Sequence, residues 1–299
     1  MLVGNLNTEH NIAVKKLCCF VDMTSQNFYA YKRERTKKQF DEDLIVSLVL
    51  DERKSQHRLG GRKLFHNLED KFIEHGIEIG RDLFFDILRD HNLLVKRKKR
   101  VARTTDSYHC LPVFNNIIDD LEVTAPHQVL VSDLTYITVG SSFMYASLIT
   151  DRYSRKIVGA YLGDTLESIG CQKALKQALK QLPSGANVIH HSDRGCQYCC
   201  HDYIEMLNNC NVKVSMTEKY HCYENAVAER VNGILKDEYS LDVCFKTKEQ
   251  ALKSFNQAIV LYNTRRPHLG LNYATPEEVH NGEKEGCIIP PLGLLKKAA

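Results

Sequence analysis

Apolar residues recur at helical spacing through the first 110 residues of the chain. One apolar stripe occupies residues 44–49, and two more follow the glycines Gly60-Gly61 and Gly80. Apolar positions that repeat at i, i+3 and i+4 predict amphipathic helices, and the hydroxyl side chains of Thr24-Ser25 favour a helix start. We therefore predict several short helices, one of which begins at these hydroxyl residues and ends near Arg35.

The hydrophobic period changes from 3.6 to 2 near residue 127. Three β-rich runs separated by short turns cover Val129–Val139, Phe143–Thr150 and Lys156–Leu162. Helices are then predicted at about 168–182, 202–209, from 225 and at 248–262, with strands at 187–191 and 212–216. Hairpin-linked strands followed by alternating helices and strands predict a mixed five-stranded sheet with helices packed on it.

Composition and length exclude several protein classes. Hydrophobic residues make up 43% of the 299 residues and charged residues 26%, which excludes disordered and collagen-like chains. No apolar run is long enough to span a membrane, and the first ten residues lack the basic start and apolar core of a secretory signal. Eleven cysteines without a framework pattern favour a reducing compartment. We expect a soluble cytoplasmic protein of about two domains.

The charge of the chain is unevenly distributed. The net charge is +3, but residues 1–110 carry 21 Lys and Arg against 16 Asp and Glu. The excess is densest in five consecutive residues: Lys96, Arg97, Lys98, Lys99 and Arg100. Such a block suits DNA phosphates, because each neutralised phosphate releases counterions, and short helices before it fit a helix-turn-helix-like DNA binder. A plain helical bundle followed by a solvated linker fits the same pattern.

Three acidic residues stand where the predicted fold brings segments together. Asp133 lies in the middle of a predicted strand, Asp193 directly follows another, and Glu229 lies on a predicted helix. Unpaired buried carboxylates are costly, so several that converge indicate bound cations. Ligands that are all oxygen favour Mg²⁺ or Mn²⁺, and two such ions support in-line displacement at a phosphodiester. Taken singly, each acid is more typical of a surface or salt-bridged carboxylate, so their spacing decides between the two interpretations.

The spacing of these acids and several short strings resemble one known family. Thirty-five residues separate Asp193 from Glu229, and Asp133 precedes Asp193 by 60 positions. The strings are SDLTYI (132–137), HSDRGCQY (191–198), NAVAER (225–230), LKDE (235–238), YNTRRPHLGL (262–271) and Ala274-Thr275-Pro276. In this order they resemble the second-frame product of insertion-sequence transposases of the IS-three group, within the DDE transposase and retroviral integrase superfamily. The similarity runs from about Val123 to Asn281.

The resemblance implies a fold and an activity. It implies an RNase H-like catalytic core at residues 123–285, followed by a tail at 286–299 and preceded by a small all-helical, helix-turn-helix-like DNA-binding region at 1–110. It assigns two Mg²⁺ (or Mn²⁺) ions to three catalytic ligands: Asp133, Asp193 and Glu229. The expected reaction is cleavage of DNA at the ends of an insertion sequence, followed by joining of the freed 3′-hydroxyl to another DNA site.

The same resemblance implies partners and a location. The expected partners are DNA at the element ends and at the target, further copies of this chain on the DNA, and the upstream-frame protein or a fusion with it. In the family that protein usually supplies a leucine zipper and the principal end-recognition domain. No zipper heptads occur in this chain, so we expect it to be incomplete as a working transposase. The expected location is the bacterial cytoplasm, in association with the nucleoid and without membrane contact.

Four more basic residues are candidates for DNA contact. Lys236 lies seven positions after Glu229, which on a helix returns it to the same face, and the family commonly has a basic residue at this interval. Arg194 fits either DNA contact or pairing with a carboxylate. Arg265 and Arg266 fit either DNA contact or a role in pinning the C-terminal helix to the core.

A cluster of cysteines lies beside the second acid of the triad, at Cys196, Cys199 and Cys200. Zinc sites usually pair two ligand sets at regular spacing, and no second CxxC follows. The family usually has small residues at these positions, so we interpret the cysteines as packed free thiols. His191 is interpreted as a satisfied strand-end histidine rather than as a proton carrier.

Two alternative functions are compatible with this sequence. An RNase H-like nuclease that hydrolyses DNA without joining would share the fold, although the YNTRRPHLGL string favours transposition. An inactive or domesticated DNA-binding derivative is favoured by departures from the family pattern. These are Leu59-Gly60-Gly61 in place of the more usual Tyr-Gly-Tyr, the lack of a Trp in His127–Leu130, and Glu224 where Asp is usual. None of these departures changes an expected metal ligand.

Overall fold

The computed structural model describes residues 13–20, 22–96, 111–218 and 224–291. The chain divides into two compact units. The first contains the described residues up to Glu52 together with Leu68–Leu94, and the second contains Arg53–Asn67 and the described residues from Val95 onwards. The predicted end of the first domain, at residue 110, lies outside the described residues, so the predicted domain bounds stay predictions.

The described residues before residue 97 form helices joined by short turns. They are α1 (Val14–Phe20), α2 (Ser25–Ser55), α3 (Gly61–Glu74) and α4 (Arg81–Asp90). The first unit buries apolar residues from three of these helices: Ile45, Val49, Leu68, Phe72, Phe84 and Leu88. The rings of Phe72 and Phe84 lie 5.8 Å apart, centre to centre. The apolar stripes of the sequence therefore form the core of this unit.

Helix α2 is longer than the hydrophobic pattern predicted. The prediction ended one helix near Arg35 and placed the next at the apolar stripe of residues 44–49, but α2 runs without a break. No glycine or proline interrupts its 31 residues, and Lys38 Nζ lies 2.8 Å from Glu34 Oε1 across one helical turn. The acids at 41–43 therefore lie inside a helix rather than at its start.

The second unit contains a mixed five-stranded sheet. Its strands are β1 (Val129–Val139), β2 (Ser142–Asp151), β3 (Ile157–Gly163), β4 (Ile189–Ser192) and β5 (Lys213–Met216). Their order across the sheet is β3-β2-β1-β4-β5. Strands β1, β2 and β3 pair antiparallel, whereas β4 runs parallel to both β1 and β5. The predicted mixed sheet is confirmed, and its strand ends lie within a few residues of the prediction.

Helices cover both faces of this sheet. They are α5 (Ser168–Leu179), α6 (Cys196–Cys199), α7 (His201–Asn209), α8 (Ala226–Glu238), α9 (Lys248–Thr264) and α10 (Pro276–His280). Leu148 of β2 packs in the cluster with α8 and α9, while its neighbour Ile149 packs in the cluster with α5 and α7. Successive strand residues point to opposite faces, which explains the period of 2 in the sequence. No helix in the described part of the chain is long and apolar enough to cross a membrane.

Candidate active site

Three acidic side chains lie near one another beside the central strands of the sheet. Strands β1 and β4 are parallel neighbours, with Val131 paired to His191. Asp133 follows Val131 by two residues, and Asp193 follows His191 by two residues. Because the two strands run parallel, this register places the two carboxylates side by side. Glu229 lies in the first turn of α8, which packs on β1 and β2. Residues almost 100 positions apart in sequence therefore face a common space.

The three carboxylates influence one another electrostatically. Burial, followed by the charge of Asp193 and a smaller effect of Glu229, raises the pKa of Asp133 to about 7. Partial burial and the charge of Asp193 also raise the pKa of Glu229. Each negative charge disfavours ionisation of its neighbours, and carboxylates perturbed in this way are typical of functional sites.

Polar neighbours hold two of the carboxylates in place. Asn232 Nδ2 donates to Asp133 Oδ2 at 2.7 Å, and the Leu134 backbone N–H donates to Asp133 Oδ1 at 2.9 Å. The backbone N–H of Gly195 donates to Asp193 Oδ1 at 3.0 Å. These three donors orient the carboxylates of β1 and of the loop after β4.

A second asparagine ties helix α8 to strand β1. Asn225, directly before α8, donates from Nδ2 to the backbone carbonyl of Ser132 at 2.9 Å, and both residues are buried. Ser132 precedes Asp133, while Asn225 lies one turn before Glu229. This hydrogen bond therefore fixes the helix that carries one carboxylate against the strand that carries another.

The donor chemistry of this site fits a divalent cation. All three acidic side chains offer oxygen, the ligand that Mg²⁺ and Mn²⁺ prefer. A cation between them would offset the burial and the neighbouring negative charges that raise the pKa of Asp133. Among the described residues, no three His, Cys, Asp or Glu side chains already converge closely enough to form a complete ligand set.

Comparisons with known proteins identify the family. Profiles described as "Integrase core domain" match residues 123–222 and 210–276. Over 275 residues the chain is 26% identical to the transposase InsF for insertion sequence IS3A of Escherichia coli, covering 90% of this chain and 94% of that protein. Over 264 residues it is 32% identical to the insertion element IS600 uncharacterized 31 kDa protein of Shigella sonnei, covering 87% and 96%. This chain belongs to the IS-three group of insertion-sequence transposases.

The catalytic region of this transposase-family chain has the RNase H-like fold that the resemblance implied. The strand order and the flanking helices match the prediction, and the integrase core profiles cover the same region. The catalytic core domain of HTLV-2 integrase in complex with magnesium aligns at 18% identity and a TM-score of 0.43, covering 52% of this chain and 97% of that one.

Lys236 and Arg194, two predicted DNA contacts, lie near the carboxylates in different settings. Lys236 is half-buried in the last turn of α8, with its ammonium 4.2 Å from the centre of the Tyr136 ring. This cation–π contact joins the last turn of α8 to β1, the strand that carries Asp133. Arg194 is half-buried in the loop between Asp193 and α6. Their contact with DNA stays a prediction.

The other predicted DNA contacts differ in exposure. Arg265 is exposed at the end of α9, whereas Arg266 is buried and binds both carboxylate oxygens of Glu238 at 2.7 Å. Arg266 therefore does pin its segment to α8, which was one of the two predicted roles. Lys96 is exposed. Residues 97–100, with Arg97, Lys98, Lys99 and Arg100, lie outside the described residues, and DNA contact by the whole set stays a prediction.

The two histidines before Asp193 are buried and neutral. Burial lowers the pKa of both His190 and His191 to about 3. His190 Nε2 forms hydrogen bonds with the hydroxyls of Ser132 and Tyr203, at 2.6 and 2.9 Å. His191 Nδ1 forms one with Ser215 Oγ at 2.8 Å. The interpretation of His191 as a satisfied strand-end residue therefore holds for Nδ1 only, because its Nε2 is buried without a hydrogen-bond partner among the described residues.

The cysteines near the site pack without disulfides. Cys196, Cys199 and Cys200 are free thiols with different exposures, and Cys199 is fully buried. Its Sγ lies 3.7 Å from Met216 Sδ, and burial raises the pKa of the thiol to about 11. A buried protonated thiol packs as a small apolar group, so the interpretation as packed thiols holds for Cys199, whereas Cys196 is exposed.

The sequence analysis did not predict the contacts of two polar residues of α8. Asn232 is the side-chain donor to Asp133. Its position three residues after Glu229, on the same helical face, was the available signal. Glu238 binds Lys63 and Arg266. Nothing local in the sequence indicates those partners.

Proposed function

We propose that this chain is the catalytic subunit of a transposase that cleaves DNA at the ends of an insertion sequence and joins the freed 3′-hydroxyl to another DNA site. The observation that carries the proposal is the electrostatic coupling of Asp133, Asp193 and Glu229 within an integrase core. Membership of the IS-three group supports transposition as the process. In phosphoryl transfer a protein acts mainly by positioning and by charge stabilisation.

In this proposal two Mg²⁺ or Mn²⁺ ions are held by Asp133, Asp193 and Glu229. The oxygen-only donor set and the repulsion among the carboxylates support this assignment. When bound, such ions activate the attacking oxygen and stabilise the leaving oxygen of an in-line displacement.

Hydrogen bonds from neighbouring polar groups orient the three carboxylates for metal binding in this proposal. Asn232 and the Leu134 N–H keep Asp133 oriented and favour its ionised form, because both donate to its oxygens. Gly195 does the same for Asp193, and Asn225 holds the helix of Glu229 on the sheet. A site oriented in advance needs little reorganisation during the reaction.

DNA contact is proposed for the basic residues named above: Lys96, Arg97, Lys98, Lys99, Arg100, Arg194, Lys236, Arg265 and Arg266. Lys236 is supported by its position on the same helix as Glu229, two turns further on. The proposed partners are the element ends, the target DNA, further copies of the chain on that DNA, and the upstream-frame protein or a fusion with it.

Joining of DNA strands is the reaction that tests the proposal. The purified chain, alone and fused to its upstream-frame product, is incubated with Mg²⁺, a labelled duplex carrying an end of the element, and a target plasmid. We expect a nick at the element end, followed by a labelled joined product. Cleavage without joining would identify a nuclease instead, and DNA binding without cleavage would identify an inactive derivative.

A further inference from the structure

A cavity of about 350 Å³ lies against helix α8 in the second unit. Five of its lining residues carry basic side chains: Lys63, Arg155, Arg230, Arg266 and His268. Leu269 and Gly270 are exposed and line it as well. The cavity is therefore open to solvent, and basic side chains form part of its wall beside apolar ones.

The cavity faces away from the carboxylate centre. At ~100° per residue, the α8 residues that line it lie roughly 130° around the helix axis from Glu229. These lining residues are Ala226, Val227, Arg230, Val231 and Ile234. A ligand in the cavity would therefore contact α8 on a different face from the one that carries the catalytic carboxylate.

The positive charge around the cavity exceeds the negative charge beside it. Glu238 is shared by two of the cations, since its carboxylate lies 3.1 Å from Lys63 Nζ and 2.7 Å from Arg266 Nε. The guanidinium groups of Arg155 and Arg230 make no ion pair or hydrogen bond within the described residues. Asp151 offsets part of the charge of Arg155 at longer range. The four cationic side chains that line the cavity, Lys63, Arg155, Arg230 and Arg266, therefore share a single directly bound carboxylate, that of Glu238.

Burial and the excess of positive charge lower the pKa values of two side chains that line the cavity, Lys63 and His268. Burial and the nearby Arg266 lower the pKa of Lys63 to about 8, although Glu238 opposes the shift. Burial and the same cation, with Lys63, lower the pKa of His268 to about 2, so its imidazole is neutral. Its Nε2 is buried and has no hydrogen-bond partner in the part of the chain that the structure describes. An anion in the cavity would supply both the missing charge and this missing partner.

The number of donors indicates the kind of anion. A carboxylate offers two oxygens, whereas a phosphate group offers three or four and suits several arginine and lysine donors at once. We propose that this cavity binds a phosphate group, at a site separate from the carboxylate triad. The source is either a phosphodiester of the DNA backbone, which rests on the proposed function, or a free phosphate ion.

Arg230 is the residue with which to test the site, because it is exposed and holds no ion pair among the described residues. Arg230→Gln removes one charge with little risk to folding, and Arg230→Lys retains the charge. Lys253→Gln, on the exposed surface of α9, is the matched control for the loss of one positive charge. All experiments use the full chain.

The first measurement is thermal unfolding with increasing inorganic phosphate, against sodium chloride at equal ionic strength. We expect phosphate to raise the Tm of the wild type, Arg230→Lys and Lys253→Gln. The increase in Tm of Arg230→Gln should be several-fold smaller. A wild-type Tm that does not respond to phosphate beyond chloride, or an equal response in Arg230→Gln, would overturn the site.

The second measurement identifies the source of the phosphate group. A slope of log DNA affinity against log salt that falls by about one in Arg230→Gln, but not in Lys253→Gln, indicates a backbone phosphate. An unchanged slope together with the phosphate response indicates a free ion. Neither measurement requires catalysis, so a negative result rejects the cavity as a phosphate site and leaves the transposase proposal to its own test.

Discussion

Replacing Glu238 by Gln tests the ion-pair cluster that anchors the end of α8. Nε and Nη2 of Arg266 each lie 2.7 Å from a carboxylate oxygen of Glu238, and Lys63 Nζ lies 3.1 Å from Oε1. The Arg266 side chain is only 2% exposed. Glu238→Gln keeps the size of the side chain but removes its charge, so two cations are left close together without their bound carboxylate.

The expected loss of stability is large. Removing one partner of a buried ion pair costs about 3–5 kcal/mol, and the partial exposure of Glu238 favours the lower end, about 3 kcal/mol. With a urea slope of about 2 kcal/mol/M, the unfolding midpoint should fall by about 1.5 M. Although burial opposes the shift, Arg266 and Lys63 lower the pKa of Glu238. The stabilisation is therefore present at pH 7 and is lost as the pH falls through that lowered pKa.

Urea unfolding followed by far-UV circular dichroism at pH 7 measures the effect. Glu277→Gln is the matched control, because Glu277 pairs with Lys156 at 3.3 Å but is 38% exposed. The carboxylate of this pair keeps contact with solvent although Lys156 is only 14% exposed, so the pair should contribute at most about 1 kcal/mol and the variant should unfold much closer to the wild type. Equal midpoints for Glu238→Gln and Glu277→Gln would refute the reasoning about the buried cluster.

Three further predictions concern catalysis and DNA binding. Asn232→Ala should slow cleavage about tenfold or more in single-turnover kinetics, because Asp133 loses a hydrogen bond worth about 1.5–3 kcal/mol; an unchanged rate would remove Asn232 from the site. Lys236→Ala should weaken binding to the element end several-fold in gel-shift titrations, and Lys236→Arg should restore it. Changing Lys96–Arg100 to Gln should weaken binding to unrelated duplexes and flatten its salt dependence; an unchanged salt slope would identify an inert linker.

The elements of the sheet could be predicted because their pattern is local. Successive residues of β1 and β2 point to opposite faces of the sheet, and this alternation is visible as a hydrophobic period of 2 in Val129–Val139. The continuity of α2 could not be read in the same way. Residues 29–40 of this helix are all exposed, so an apolar stripe begins only where the helix meets a core.

The site was only partly predictable for a related reason. Asp133, Asp193 and Glu229 stand in short strings whose spacing resembles a family, so the resemblance identified them before any contact was known. The contacts of Glu238 with Lys63 and Arg266 join segments 175 and 28 positions away. Such pairings depend on the folded chain and leave no periodic signal in the sequence.

The central claim is that one carboxylate centre performs the chemistry. The most direct test measures Mg²⁺-dependent cleavage at the element end by Asp193→Asn and Glu229→Gln, beside Asp202→Asn and Glu205→Gln on the exposed surface of α7. All four variants lose one negative charge at nearly constant side-chain size. The account predicts that the first two lose cleavage while still binding DNA, and that the second two cleave at the wild-type rate. Wild-type cleavage by either Asp193→Asn or Glu229→Gln would contradict it.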